Sequence, residues 1–363
     1  MTATRAEPQR AAATVGRAAR RIRIGAVAAV LAGAIVLAIV VSAGAGQLAL
    51  APGETLRVLL AGPDAASAGH GIDPASAGAV WTIRVPRILL AALVGAALAV
   101  SGGLMQAVFA NPLADPGVVG VSAGAALGAA LAIVLGWTAL GSWTVAAAAF
   151  VAALGTTLFV VATARAEGRT EVVTLVLTGI AITAFSGAGL ALMTFLGDTT
   201  TREQIVFWQL GTLGGTRWHE LAVLAPIALL GIVAAVLLGR RLDALALGER
   251  EAGHLGVDVE RLRTMTIVLV ALLTGTAVAF TGIIGFVGLV VPHIVRMAIG
   301  PAHRPLLAVS ALGGALLVLA ADTTARTVVP GAELPIGMLT TLIGGPYFFY
   351  LLRRMRRATG SWA

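Results

Sequence analysis

The chain has 363 residues, 58% hydrophobic and 12% charged, with a formal charge of +8. Its mean hydropathy of +0.95 lies outside the range of a water-soluble domain, so a bilayer is its solvent. It has no cysteine, which excludes structural disulfides, iron–sulfur clusters and thiolate metal sites, and no lysine, which excludes a Schiff-base lysine and the Gly-Lys-Ser/Thr phosphate loop of a nucleotide hydrolase.

All 25 basic residues are therefore arginine. They collect at the ends of apolar runs and not on an aromatic-studded soluble face, so they read as topology signals, and nucleic acid is not an expected partner. No charge occurs from Ile24 to Gly53, Pro116 to Ala164, Val172 to Gly197 or Thr264 to Val295; each run exceeds the roughly 20 residues a spanning helix needs. The expectation is an all-α polytopic membrane protein. A basic segment, 1–23, precedes a transmembrane domain, 24–353, and a short tail, 354–363, follows it.

In chain order, the first run begins after basic residues as a signal peptide would, but it is long and lacks a convincing cleavage site, and it reads as helix one. Splitting the apolar sequence at charges, prolines and glycine-rich turns predicts ten spans. They are 24–45, 88–109, 117–136, 140–163, 172–197, 219–239, 264–283, 284–299, 305–322 and 335–352. With both termini in the cytoplasm, nineteen arginines fall inside and six (Arg57, Arg84, Arg87, Arg202, Arg217 and Arg326) outside, as the positive-inside rule requires; an odd number of spans would part the two basic termini.

Residues 93–102, LVGAALAVSG, match 273–282, LTGTAVAFTG, at five positions, five helices apart. Opposite orientation follows, the mark of an inverted repeat. Gly120, Gly124 and Gly128 recur every four residues, a pattern that lets a second helix approach closely or that lines a pathway. The loop 111–117, NPLADPG, reads as a tight turn placed where a gate would sit.

Residues 244–263, ALALGEREAGHLGVDVERLR, set Leu245, Leu247 and Leu255 among charges and glycines. Short amphipathic helices broken at Gly248, Gly253 and Gly256 are predicted, offering a partner an apolar anchor with a charged rim. The five histidines, His70, His219, His254, His293 and His303, show no ligand spacing, and only His293 lies within an apolar run. No metal site or catalytic set is expected. Carboxylates come no closer to the spans than Asp198, Asp322 and Glu333, whereas ion-coupled transport, the alternative from another class, predicts acids inside them.

On these residues the sequence resembles the FecCD family of ABC-importer permeases. The motifs are RVPR at 84–87, GAALAVSGGLMQAVFANPLADPGVVGVSAGAALGA at 95–129, FWQLGTLGG at 207–215, LALGEREAGHLGV at 245–257, GFVGLVVPHIVR at 285–296 and AELPIGMLTTLIGGPYFFYLL at 332–352. The likeness runs from about 81 to 353. It implies a type II ABC importer permease fold of ten helices and a homodimer with one pathway on its twofold axis. It also implies two copies of a cytoplasmic ATPase, which bind the ATP, so that this chain holds no cofactor of its own. An extracytoplasmic binding protein would deliver an iron complex, haem or a ferric siderophore, with cobalamin as the alternative cargo.

By the same resemblance Arg84, Arg87 and Arg326 dock the binding protein. Asn111, Leu113 and Thr170 form the cytoplasmic gate, and Leu247, Gly248, Glu249, Gly253, Leu255 and Gly256 couple to the ATPase. Ala110 departs from the family pattern, which has a polar or charged residue before Asn-Pro-Leu. A wide path with few charges suits a bulky cargo that must be released. The ADPG turn and GDTTTREQIVFW at 197–208 are closer to haem than to cobalamin permeases.

Overall fold

A computed structural model describes residues 6–64, 71–166 and 169–359; Arg5 and His70 lie outside the described residues. Fourteen α-helices make up the described chain. The first, α1, runs from Ala6 to Gly44, so the basic segment winds into the same helix as the first span. A short α2, Pro52–Ala61, and α3, Pro74–Gly78, follow. Through one π-helical turn, Ala79–Arg84, α3 continues into α4, Val85–Val108. Pro86 stands at the junction of the π-helical turn with α4, where the change of helical pitch accommodates the N–H and the space that a proline removes from a continuous helix.

Beyond the 111–117 loop come a 3-10 turn, Pro116–Val119, and α5, Val121–Val134. Next is α6, Thr144–Thr163, and a hairpin of β1, Arg165–Ala166, with β2, Arg169–Thr170. Then follow α7, Val172–Leu196, α8, Thr199–Leu210, and α9, Trp218–Leu245. The last five are α10, Glu249–His254, α11, Val259–Thr281, α12, Val287–Ile299, α13, His303–Ala325, and α14, Ile336–Thr359.

Ten of these correspond to the ten predicted spans. Among the described residues seven helical stretches are long and apolar enough to cross a membrane, and α5 and α12 are shorter apolar helices. The tenth, α14, carries no charge from Ile336 to Leu352. Tracing them in alternation puts the starts of α1, α5, α7 and α11 at one end with the hairpin and α10, here called the hairpin end. Arg84, Arg87 and Arg326 lie at the other, the triad end. The sequence reading found no helices between 45 and 88 and none at 199–210; α2, α3 and α8 occupy these stretches at the triad end. Asp198 fixes the start of α8 by accepting from the Thr201 N–H at 2.7 Å.

The core is centred on α4, whose apolar window is 83% buried. Close packing there needs glycine: a Cβ on Gly95 would overlap the Gly314 carbonyl of α13, and one on Gly102 the Gly288 carbonyl of α12. The inverted repeat is visible in who packs on whom. α4 rests on α12 and α13, while α11, its counterpart, rests on α5 and α6. Both short helices follow a residue with positive φ, Gly120 at 77° before α5 and Phe286 at 65° before α12.

Each of these entry segments abuts a glycine of the last helix in its half. A Cβ on Gly179 of α7 would strike the Val118 carbonyl, and one on Gly344 of α14 the Phe286 side chain. The stripe of Gly124 and Gly128 is filled by α6, through Thr156, Ala152 and Ala148, so it serves packing within the chain.

Candidate functional site: a buried arginine triad and a clipped hairpin at opposite ends

At the triad end, α1 finishes with carbonyls that no longer have helical partners. Arginines supply them. Arg84 Nη1 donates to the Ala43 carbonyl at 2.5 Å and Nη2 to that of Leu48. Arg326 donates to the carbonyls of Ala45 at 2.9 Å and Ser42 at 2.6 Å. Positive charge at a helix C-terminus is also favoured by the macrodipole.

Arg87 makes a fork-to-fork pair with Asp322, Nη2 donating to Oδ1 at 2.8 Å and Nε to Oδ2 at 3.2 Å, and its Nη1 meets Glu333 at 2.9 Å. Asp322 also lies 3.4 Å from Arg326 Nε, so one carboxylate bridges two guanidinium groups. Arg84 and Arg87 are 6% and 8% exposed; the snorkelling that isolated outer arginines would show is not what these three do. A cavity of about 330 Å³ opens beside them, lined also by Gln47, Ile83 and the half-exposed Glu333. The sequence reading did not find Asp322 and Glu333 as partners. The four-residue spacing of Asp322 and Arg326 on one helix face was the available signal.

At the hairpin end, Asn111 Oδ1 accepts from the Leu113 N–H at 2.9 Å and Asp115 Oδ1 from Gly117 at 2.8 Å, two Asx turns that shape the loop. Burial pushes the Asp115 carboxyl up, against the pull of the Gly117 N–H. Ala110, the departure from the family pattern, ends α4 in the left-handed region at φ 47°, a conformation that suits glycine or asparagine better. The 3-10 turn that follows the loop rests on α7 at Gly179, and Thr170 stands two residues before the start of the same helix.

Thr170 is buried, and Glu260 on α11 holds it twice, through its N–H at 2.9 Å and through its hydroxyl. The coupling residues form a separate surface. Gly248 and Gly256, with φ of 123° and 79°, bound the six-residue α10. Gly253 does not break it, contrary to the sequence reading: its φ is helical and the turn continues to His254. Leu247 and Leu255 are 66% and 64% exposed, two apolar side chains with little cover on a polar loop. Among the described residues no group of three or more metal-ligating side chains occurs.

These features define an integral membrane permease: an apolar ten-helix bundle of two inverted halves, with a buried ionic cluster at one end and an exposed apolar knob at the other. The chain belongs to the FecCD transport family, whose model matches residues 33–354. That match begins well before residue 81, where the motif-bearing stretch starts, and takes in the late part of α1.

A hemin transport system permease of Yersinia pestis is 45% identical over 281 residues, 76% of this chain and 84% of that protein. A cobalamin import system permease of Halobacterium salinarum is 44% identical over 291 residues, 80% and 77% of the two chains. A solved structure described as an inward-facing metal-chelate type ABC transporter superposes with a TM-score of 0.79 at 33% identity, covering 92% of this chain and 99% of that one. This chain is thus an ABC-transporter permease subunit, a class whose members are not themselves enzymes.

Proposed function

We propose that this chain forms the pathway of an ATP-driven importer for an iron complex, haem or a ferric siderophore, as a homodimer with its path on the twofold axis. The observation that carries this reading is that the last helix of each inverted half, α7 and α14, is uncovered and uncharged. The apolar window of α7 is only 17% buried, with Phe185, Leu192 and Phe195 exposed, and α14 exposes Leu342, Ile343 and Phe349. No charge occurs between Val172 and Leu196 or between Ile336 and Leu352. Two such faces from each of two copies would enclose a wide path that does not hold its cargo by charge. Iron would pass as substrate, without ligation by protein side chains.

The hairpin end, where most of the arginines lie, faces the cytoplasm. There two copies of a separate ATPase bind the α10 surface, with Leu247 and Leu255 as anchors and Glu249 on the rim. The triad end faces outward and receives the binding protein. Arg87 is its contact of choice, because half-exposed Glu333 can yield its place to a carboxylate of the partner while Asp322 keeps the guanidinium oriented. The similar relatedness to a haemin and a cobalamin permease makes cobalamin the second reading.

The test is co-expression with a cognate ABC ATPase and binding protein from the same organism. A complex of two permease and two ATPase copies is expected, with binding-protein capture that weakens in salt and in Arg87→Glu. A chain that purifies as a monomer and retains no ATPase contradicts the proposal.

A further inference from the structure

Arg263, the fifth residue of α11, is 3% exposed and joins three segments that are remote in sequence. Its Nη1 donates to the Thr170 carbonyl at 2.8 Å, and its Nη2 meets Glu249 at the start of α10. Glu260 lies 3.6 Å from the same guanidinium and grips the Thr170 N–H and hydroxyl. On the other strand of the hairpin Arg165 pairs with Glu260 at 3.6 Å and donates to the Thr264 hydroxyl at 2.8 Å. Both strands are thereby tied to the start of α11, and among the described residues Arg263 makes the side-chain bond that carries the tie onward to α10.

The hairpin in turn sets the start of α7. The Glu171 N–H donates to the Ala164 carbonyl at 3.1 Å and the Leu175 N–H to the Glu171 carbonyl at 2.9 Å, so a shift of Thr170 is a shift of the first turn of that helix. A guanidinium suits this place because its planar fork serves acceptors in different directions at once, which an ammonium on a flexible stem does poorly. Burial sharpens the effect: an acceptor that moves away leaves the cation unpaired in a medium that penalises it.

We propose that Arg263 is a positioning residue that makes α10, the start of α11 and the 165–170 hairpin one mechanical body, so that displacement of α10 reorients the first turn of α7. This rests on the reading above that α10 meets the ATPase and α7 lines the path, and it adds the link between them. A purely stabilising arginine would hold the fold without linking the two motions.

Because the chain has no cysteine, spin labels can be placed at Leu255→Cys and Val173→Cys, positions that are 64% and 67% exposed, in the full-length chain in lipid nanodiscs. With labelled chain diluted in an excess of unlabelled chain, so that distances within one copy dominate, pulsed dipolar spectroscopy should give one narrow distance distribution, at least twofold broader in Arg263→Met. Glu249→Leu should broaden it likewise. Glu249 is 64% exposed in its side chain, so that variant keeps the link testable if Arg263→Met does not fold. In the unlabelled complex with its ATPase, Arg263→Met should keep ATPase capture and lose at least tenfold in cargo moved per ATP hydrolysed, with Arg263→Lys recovering only part.

Unchanged widths in both variants overturn the link whatever the ATPase does. Broadening with an unchanged ratio of transport to hydrolysis overturns its role in coupling. Broadening in a chain that captures no ATPase supports the mechanical link and contradicts the proposed function instead.

Discussion

Removing the arginine of the Arg87–Asp322 pair should cost far more than removing the pair. In Arg87→Met, Asp322 stays 1% exposed with only Arg326, at 3.4 Å, as a nearby cation. Breaking a buried pair from one side costs about 3–5 kcal/mol. The retained Arg326 places this case at the lower end, about 3 kcal/mol, or roughly a hundredfold in the unfolding equilibrium. In the double variant Arg87→Met with Asp322→Leu, both desolvation penalties vanish together, and Arg326 keeps its contacts to Ser42 and Ala45. Stability should return to within about 1 kcal/mol of the parent, so the coupling energy is at least about 2 kcal/mol and larger by whatever Asp322→Leu costs alone. SDS titration of the purified chain in mixed micelles, followed by tryptophan fluorescence, measures all four members of the cycle. A single variant within about 0.5 kcal/mol of the parent, or a double variant equal to the sum of the singles, refutes the argument.

Four further outcomes are expected. Gly102→Val should abolish the monodisperse peak in size-exclusion chromatography, because its side chain would enter the Gly288 backbone, whereas Gly253→Ala, with open space at its Cβ, should leave it intact. Ala110→Gly should raise stability in the same titration by about 0.5–1 kcal/mol, the relief of a left-handed alanine less the entropy glycine adds to the unfolded chain. Leu255→Asp should leave folding unchanged and reduce ATPase co-purification at least tenfold. Hydrogen bonds from Thr201 hold the Asp198 carboxyl below its ordinary value. Its contribution to α8 is therefore present above the unfolded value of about 4 and lost as pH falls through the lower folded value. The protection factor for hydrogen exchange at Thr201, which is the observed rate corrected for the intrinsic pH dependence, should fall in acid in the parent and lose that pH dependence in Asp198→Ala.

The spans were legible because hydrocarbon tolerates so little: charge-free runs bounded by arginine leave few choices for where helices cross. The boundary placed between 283 and 284 was harder, since residues 282–286 stay apolar while leaving the helix, and their extended path is set by Trp208, Gly211 and Gly337 packing on them. The α2 to α3 region and α8 escaped because short helices at a membrane surface need only local caps such as Asp73 and Asp198. Arg84, Arg87 and Arg326 stood out through their scarcity on the outer side, but their burial did not. Arg84 and Arg326 answer the end of a helix some forty to three hundred residues away, and only folding brings those carbonyls to them. Thr170 could be named from the family pattern alone, while Glu260 and Arg263, three apart at the start of α11, became visible as its partners once the hairpin was seen to lie on them.

Uptake by proteoliposomes containing this chain, a cognate ABC ATPase and a cognate binding protein tests the central claim most directly. Radiolabelled iron supplied as haem or as a ferric siderophore should accumulate only with ATP on the hairpin side and with all three components present, and labelled cobalamin should not. Accumulation driven by an ion gradient without nucleotide, or of cobalamin to the exclusion of both iron complexes, would contradict it.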